Sequence, residues 1–232
     1  NRNRSGAASP QLRAAMRGIL AVHTVVRTSI GRFAIPAEGL IPPGTLGHDP
    51  NRRRPAVSHE QVESWLSTCG PKRELKALVS FGFRHRHQKL VDTIVGLWSD
   101  YGINVTLRDS DSRVDDAETV DDDVDVYFGG WSGDYADPDA FTHALFHTSS
   151  GRLRRYLDSD SLDGLLESAR LEQQSDLREM LYRQIEDRLQ EDCTVIPLFY
   201  ETEHRLASHR VRRLVLQSDP PYMNFDSVGK TP

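Results

Sequence analysis

Apolar residues recur at spacings of three and four through Leu12, Met16, Ile19 and Leu20, which predicts an amphipathic helix with one buried stripe. Ser9-Pro10 places a capping residue and a first-turn proline at its start. A second short helical stretch runs through Val25, Val26 and Ile30 to Gly31. The pattern then breaks. Pro36, Gly39, Pro42, Pro43 and Gly44, followed by Gly47, Pro50 and Pro55, forbid regular structure and predict an ordered loop from Ile35 to Pro55. Ser58 with Gln61 three residues on reads as a capping box for a helix whose apolar face is Val62, Trp65 and Leu66, ended by Gly70-Pro71.

The middle of the chain changes period. Leu75 to Phe81 is a short apolar strand, about Arg86 to Tyr101 a longer helix with Leu90, Ile94, Leu97 and Trp98 inward. Ile103, Val105 and Leu107 alternate as a half-buried strand. Strand, helix, strand is a βαβ unit, whose strands lie parallel. Val124, Val126 and Phe128 form a further strand, and a Gly- and Asp-rich turn follows from Gly129 to Asp139, with a helix start near Asp137-Pro138. Helices are predicted over Ser161–Leu171 and Ser175–Asp192, and closing strands over Val195–Tyr200 and Arg213–Gln217. Together these elements predict an α/β fold, a mixed sheet with flanking helices.

Composition narrows the function more by exclusion than by assignment. A net charge of −5 and a pI near 6 argue against a general nucleic-acid binder, which carries a basic surface. No apolar run approaches the ~18 residues of a membrane span, so no direct membrane insertion is expected. Two cysteines, Cys69 and Cys193, are too few for a disulfide scaffold and lack zinc-site spacing, and the sequence leaves open whether they pair. The opening Asn1-Arg2-Asn3, with neither an initiator Met nor a signal sequence, leads to the expectation of a piece of a longer protein. Residues 1–8 are expected to be loose.

Several clusters invite a chemical reading and fail it. Asp109–Asp125 holds nine carboxylates, but the glycine of a calcium loop is missing, since Val114 stands there. A solvated loop is the default. His143 and His147 are four apart on a predicted helix, but Ala144, Leu145 and Phe146 intervene where a zinc hydrolase carries Glu, so no metal is expected. His85 and His87, in the Arg84–His87 patch, carry no stronger signal. Ser132 sits in Gly-Gly-Trp-Ser-Gly, and the second glycine of a nucleophile elbow is replaced by Asp134. Arg52-Arg53-Arg54 and His204–Arg213 read as solvated basic faces. What remains is the turn Gly130-Trp131-Ser132-Gly133-Asp134-Tyr135-Ala136-Asp137-Pro138. Glycines admit a ligand to the main chain, Trp131 and Tyr135 offer flat walls, and Asp134 offers a fixed charge. Those are the parts of a pocket for a cationic or amphipathic ligand, and equally of an ordinary strand-to-helix turn.

This turn resembles the GWxxDYPDP-like segment of the family 5 extracellular solute-binding proteins, the oligopeptide, dipeptide and nickel receptors of bacterial ABC importers. Three other segments agree in order. Gln11–Leu20 with Arg27–Gly31 resembles the family's opening VRQAINYAIDREAIV region, without its Asp-Arg pair. Pro36-Ala37-Glu38-Gly39-Leu40-Ile41-Pro42-Pro43-Gly44 resembles its PAxGPIPPG loop, and Val195-Ile196-Pro197-Leu198-Phe199-Tyr200 its PVIPLYY strand. The resemblance runs from about Gln11 to the C-terminus.

The resemblance implies one lobe of a two-lobe receptor: residues 9–200 as the second lobe, and 201–232 as a segment returning toward a missing first lobe. It implies ligand contacts from Trp131, Ser132, Asp134, Tyr135 and Phe128, with Asp134 facing a peptide's α-ammonium and Trp131 lining the cleft. Phe128 departs from the family, since some oligopeptide receptors carry a basic residue there. The implied partners are a peptide or similar small solute and an ABC permease, without cofactor or catalysis, in the periplasm or another extracytoplasmic space. The alternative is a solute-binding-like sensor domain of a transcription regulator or kinase, which would be cytoplasmic.

Overall fold

The computed structural model describes residues 1, 6–7, 9–110, 123–154, 160–202, 204–217 and 223–230. Most of the acidic stretch and most of the first eight residues lie outside them, so the expectations for both are untouched.

The first two helices form where the stripe places them. Helix α1, Pro10–Ile19, begins on Ser9, whose hydroxyl accepts the Leu12 N–H at 3.3 Å, and α2 spans Val22–Ser29. Strand β1 is Ala34–Pro36, and α3, His59–Ser67, starts on Ser58, whose hydroxyl accepts the Gln61 N–H at 3.1 Å. Strand β2 is Glu74–Val79, helix α4 Phe81–Asp100, β3 Asn104–Asp109 and β4 Val126–Phe128. These three strands make one parallel sheet in the order β3-β2-β4, with Leu75 opposite Val105 and Leu78 opposite Tyr127.

A first core lies between this sheet and α1 to α4, centred on Trp98, which is 2% exposed and donates its indole N–H to Met16 O at 2.9 Å. Helix α4 begins at Phe81, five residues before the boundary read from periodicity. Ser80 caps it, accepting the Phe83 N–H at 3.4 Å. At His87 the helix kinks (φ −129°, ψ 30°), because that imidazole is wedged between Phe83 and Phe199, ring centres 5.0 and 4.9 Å away. The wedge hides a helical turn inside what reads as a polar patch.

A second core joins α5, His143–Phe146, to α6, Asp160–Leu171, and α7, Ser175–Asp192. The proline-rich loop closes it by inserting Ile41, which is fully buried. The loop itself is tied down by charge. Glu186 of α7, 4% exposed, accepts the N–H groups of Leu40 and Ile41, and Arg52 Nε lies 3.3 Å from its other oxygen. Arg52 also reaches Asp187 and Arg183 O, while Arg54 donates to Ala37 O. Arg52 and Arg54 are therefore clasps and not solvated faces, and of that triplet Arg53 alone is exposed.

Parallel and antiparallel pairing are both present, in separate sheets. Strand β5, Phe199–Glu201, pairs antiparallel with β1. The chain then forms two short ribbons: β6, Val211–Arg212, with β9, Gly229–Lys230, and β7, Val215–Leu216, with β8, Met223–Asn224. The architecture is α/β, as the sequence predicts. Among the described residues no helix is long and apolar enough to cross a membrane.

Candidate functional site

The parallel sheet directs attention to its carboxyl edge. From β2 the chain leaves through α4 toward β3 on one side, and β4 pairs on the other side of β2. Crevices outside the carboxyl ends of strands at such a reversal are where α/β sheets bind ligands. The Ser80 N–H, at the head of α4, donates to Phe128 O at 2.9 Å and closes the base of this edge. The Gly129–Asp137 turn rises from it.

Phe128 itself faces inward. It is 6% exposed and packs against Trp98, ring centres 5.9 Å apart and tilted by 37°, so it supports the turn from the core. The next residues emerge. Trp131 is 37% exposed, its indole N–H donates to Ala140 O at 2.6 Å, and the Arg152 guanidinium lies 5.6 Å from the ring centre. The indole is thus fixed at one edge and covered by a cation, an arrangement worth about 0.5–1 kcal/mol at an exposed site. Gly133 follows, where a Cβ would come within 2.9 Å of the Phe141 ring, so either that ring or the turn would have to shift to admit a side chain.

The carboxylates of the turn divide into two kinds. Asp137 caps the short 3-10 turn Pro138–Phe141 by accepting the Asp139 N–H at 2.9 Å, and takes both ends of the Arg178 guanidinium at 2.9 and 2.8 Å. Burial alone would raise its pKa, but the Arg178 hydrogen bonds and the Asp139 N–H outweigh it and hold the carboxyl below the ordinary range. Arg178 is completed by Ala169 O and Tyr182 Oη, each 3.1 Å away, so the descending limb is bolted to α7. Asp139, 7% exposed, accepts the Tyr135 hydroxyl at 3.0 Å. Partial burial, then this bond to a carboxylate, raise the Tyr135 phenol. Asp134 is different. It is exposed, and among the described residues nothing forms a hydrogen bond or ion pair with its carboxylate. Ser132 is exposed beside it.

Trp131, Ser132, Asp134 and Tyr135 are thus each exposed along the turn, whereas Phe128 is buried in the core. Arg152, Arg178 and Asp139 were missed by the sequence reading. The Asp-Pro and Gly signals that mark the turn are local, whereas Arg178 lies on a helix 41 residues beyond Asp137.

The two histidines also acquire company. His143 Nε2 is 3.0 Å and His147 Nε2 3.3 Å from the same Glu167 oxygen, and the rings stack with centres 4.5 Å apart. Glu167 comes from α6 and was not visible in the spacing. Cys69 and Cys193 are both free thiols.

Residues 1–152 match the family model for bacterial extracellular solute-binding proteins, family 5 Middle. The periplasmic murein peptide-binding protein MppA of Escherichia coli is 24% identical over 216 residues, which cover 89% of this chain and 40% of that protein. The structure of HbpA2 from Haemophilus parasuis superposes on the whole chain and 47% of its own, at 20% identity and a TM-score of 0.85. A dipeptide-binding protein from Pseudoalteromonas sp. SM9913, in complex with Met-Leu, does so at 16% identity and 0.80, again over the whole chain and 47% of its own. The chain spans less than half the length of the curated relatives it matches. The fold and the match over residues 1–152 place the chain in the bacterial extracellular solute-binding proteins, family 5.

Proposed function

We propose that this chain is the second, ligand-binding lobe of a receptor that captures peptides or similar small solutes for an ABC importer, by cleft closure and without a chemical step. The observation that carries the reading is Asp134. Asp137 and Asp139 of the same turn are engaged within the protein, whereas Asp134 stands exposed and unpaired between two exposed aromatic residues, Trp131 and Tyr135. A carboxylate in that setting pairs with a ligand ammonium, and closure of a second lobe desolvates the pair. The names of MppA and of the dipeptide-binding structure point to ligands of the same class.

Residues 9–200 would form the lobe. Residues 201–232 would return toward the first lobe, in keeping with their two-residue ribbons and with Leu206, Leu216 and Phe225, which lie largely exposed. The receptor would work in the periplasm or another extracytoplasmic space, with the permease as partner.

Calorimetry on the full-length protein with a mixed peptide library tests the reading, followed by Asp134→Asn. Truncating one partner of a desolvated charge pair typically costs ~2–5 kcal/mol, so affinity should fall by at least about thirtyfold. Peptide binding that is unchanged by Asp134→Asn would remove the role given to Asp134. No binding by the full-length protein to any peptide would remove the ligand class.

A further inference from the structure

We propose that His143, His147 and Glu167 form a binding site for a borderline divalent cation of the zinc and nickel type, separate from the ligand turn. Their three donor atoms lie within 4.8 Å of one another, two of the separations being 3.0 and 3.3 Å. Metal–ligand bonds of roughly 2.0–2.2 Å at a tetrahedral angle put neighbouring donors about 3.4 Å apart. Two of the three donor separations thus already come near an edge of such a polyhedron before any ion arrives. Two imidazoles and one carboxylate select zinc, nickel, cobalt or copper over calcium and magnesium, which require oxygen shells. His143 and His147 are largely buried, while Glu167 is 48% exposed at the side chain and leaves the site open on one side for entry and for a water ligand.

A second observation points the same way. His143 Nε2 lies between a donor and an acceptor, Arg170 Nη1 at 3.2 Å and Glu167 Oε1 at 3.0 Å. A neutral ring nitrogen satisfies only one of them. Meanwhile Asp139 Oδ1 is buried with no hydrogen-bond partner, and Arg170 Nε is 3.7 Å from the other Asp139 oxygen. A cation on His143 resolves the first mismatch: it takes the Nε2 lone pair and the Glu167 charge, and it displaces the Arg170 donor, which keeps its contact with Asp139.

The outer ring of contacts sets the strength. The Ser149 and Ser150 hydroxyls lie 3.0 and 3.1 Å from His147 Nδ1 and can accept a hydrogen bond from Nδ1–H when Nε2 ligates. The two backbone N–H contacts to that nitrogen, both 3.3 Å, are given up. Displacing Arg170 and these contacts makes the site weaker than a dedicated structural zinc centre. Asp163, which accepts the Thr148 N–H at 2.9 Å, stands 3.9 Å from His147 Nε2 and adds negative charge beside the site.

The test is a zinc chloride titration of the purified protein against a competing chromophoric chelator, with cobalt chloride absorption to report tetrahedral ligation. One equivalent is expected to bind. Glu167→Gln and His143→Gln are each expected to weaken it roughly tenfold or more, as loss of even an outer-shell partner does. Arg170→Gln should strengthen it, because the competing cation is gone; a cluster with a purely structural role would show no such gain. Glu167 is about half exposed, so Glu167→Gln is expected to fold, and thermal melts check His143→Gln and Arg170→Gln, since Arg170 pairs with buried Asp139. The proposal is overturned if the wild type binds no zinc, if Glu167→Gln binds it as tightly as the wild type, or if Arg170→Gln weakens it.

Discussion

Replacing Arg178 by Met tests whether the Asp137 anchor is what holds the ligand turn against α7. The substitution removes two charged hydrogen bonds to Asp137, of 2.9 and 2.8 Å, and one each to Tyr182 Oη and Ala169 O, both 3.1 Å. Asp137 is one-third exposed at the side chain, so its freed carboxylate partly rehydrates, and the pair is worth less than a buried one. Tyr182 is fully buried, and its hydroxyl loses a partner at ~1–3 kcal/mol. A total loss of about 2–4 kcal/mol follows, or a fall in Tm of roughly 5–15 °C for a chain of this size. Asp137→Asn keeps the cap on the Asp139 N–H but loses the charge, and should cost about 1–2 kcal/mol. The double variant should be less destabilised than the sum, by roughly 1 kcal/mol.

The pH dependence has a definite sign. The folded pKa of Asp137 is depressed below 3.8, so its contribution is complete above that value and fades as pH falls through the lower folded value. The wild-type advantage over Asp137→Asn should therefore persist at pH 5 and shrink below pH 4. Thermal melts of the four proteins across that range give the answer. Additive losses, or an advantage that does not change with acid, would refute the anchor.

Three further outcomes are expected. Glu186→Gln keeps an acceptor for the Leu40 and Ile41 N–H groups but turns an amide toward Arg52. It should destabilise by about 3 kcal/mol, as breaking a buried pair does, with Glu186→Ala worse and the proline-rich loop newly open to limited proteolysis. His87 is held neutral by burial, its pKa lowered from 6.5 despite Glu201 nearby, so stability is complete above 6.5 and declines as pH falls below it. His87→Gln should flatten that decline in melts between pH 7 and pH 5, and an unchanged slope would place the sensitivity elsewhere. Trp98→Phe removes the hydrogen bond to Met16 O and leaves a void against Phe128, and a loss of ~2–4 kcal/mol in urea unfolding is expected.

What the sequence made legible, and what it concealed, separates along one physical line: contacts between residues near in sequence, and contacts between residues far apart. Ser9, Ser58 and Asp137 cap helical turns by bonding N–H groups two or three residues on, and each was readable as a start signal. The βαβ unit followed from a change in apolar period, which is also local. Arg52 looks like any solvated arginine until Glu186 and Asp187, more than 130 residues later, enclose it. His87 looks like a surface patch until Phe199 closes over it from the other end of the chain. The candidate site behaves the same way. Trp131, Asp134 and Tyr135 were legible because glycines and an Asp-Pro pair mark the turn that exposes them. That Asp134 alone among its carboxylates is unpaired depends on Arg178 having claimed Asp137 and Tyr135 having bonded Asp139. Charge in a sequence is a quantity without a location; burial and pairing assign it, and at this turn they leave one negative charge facing outward.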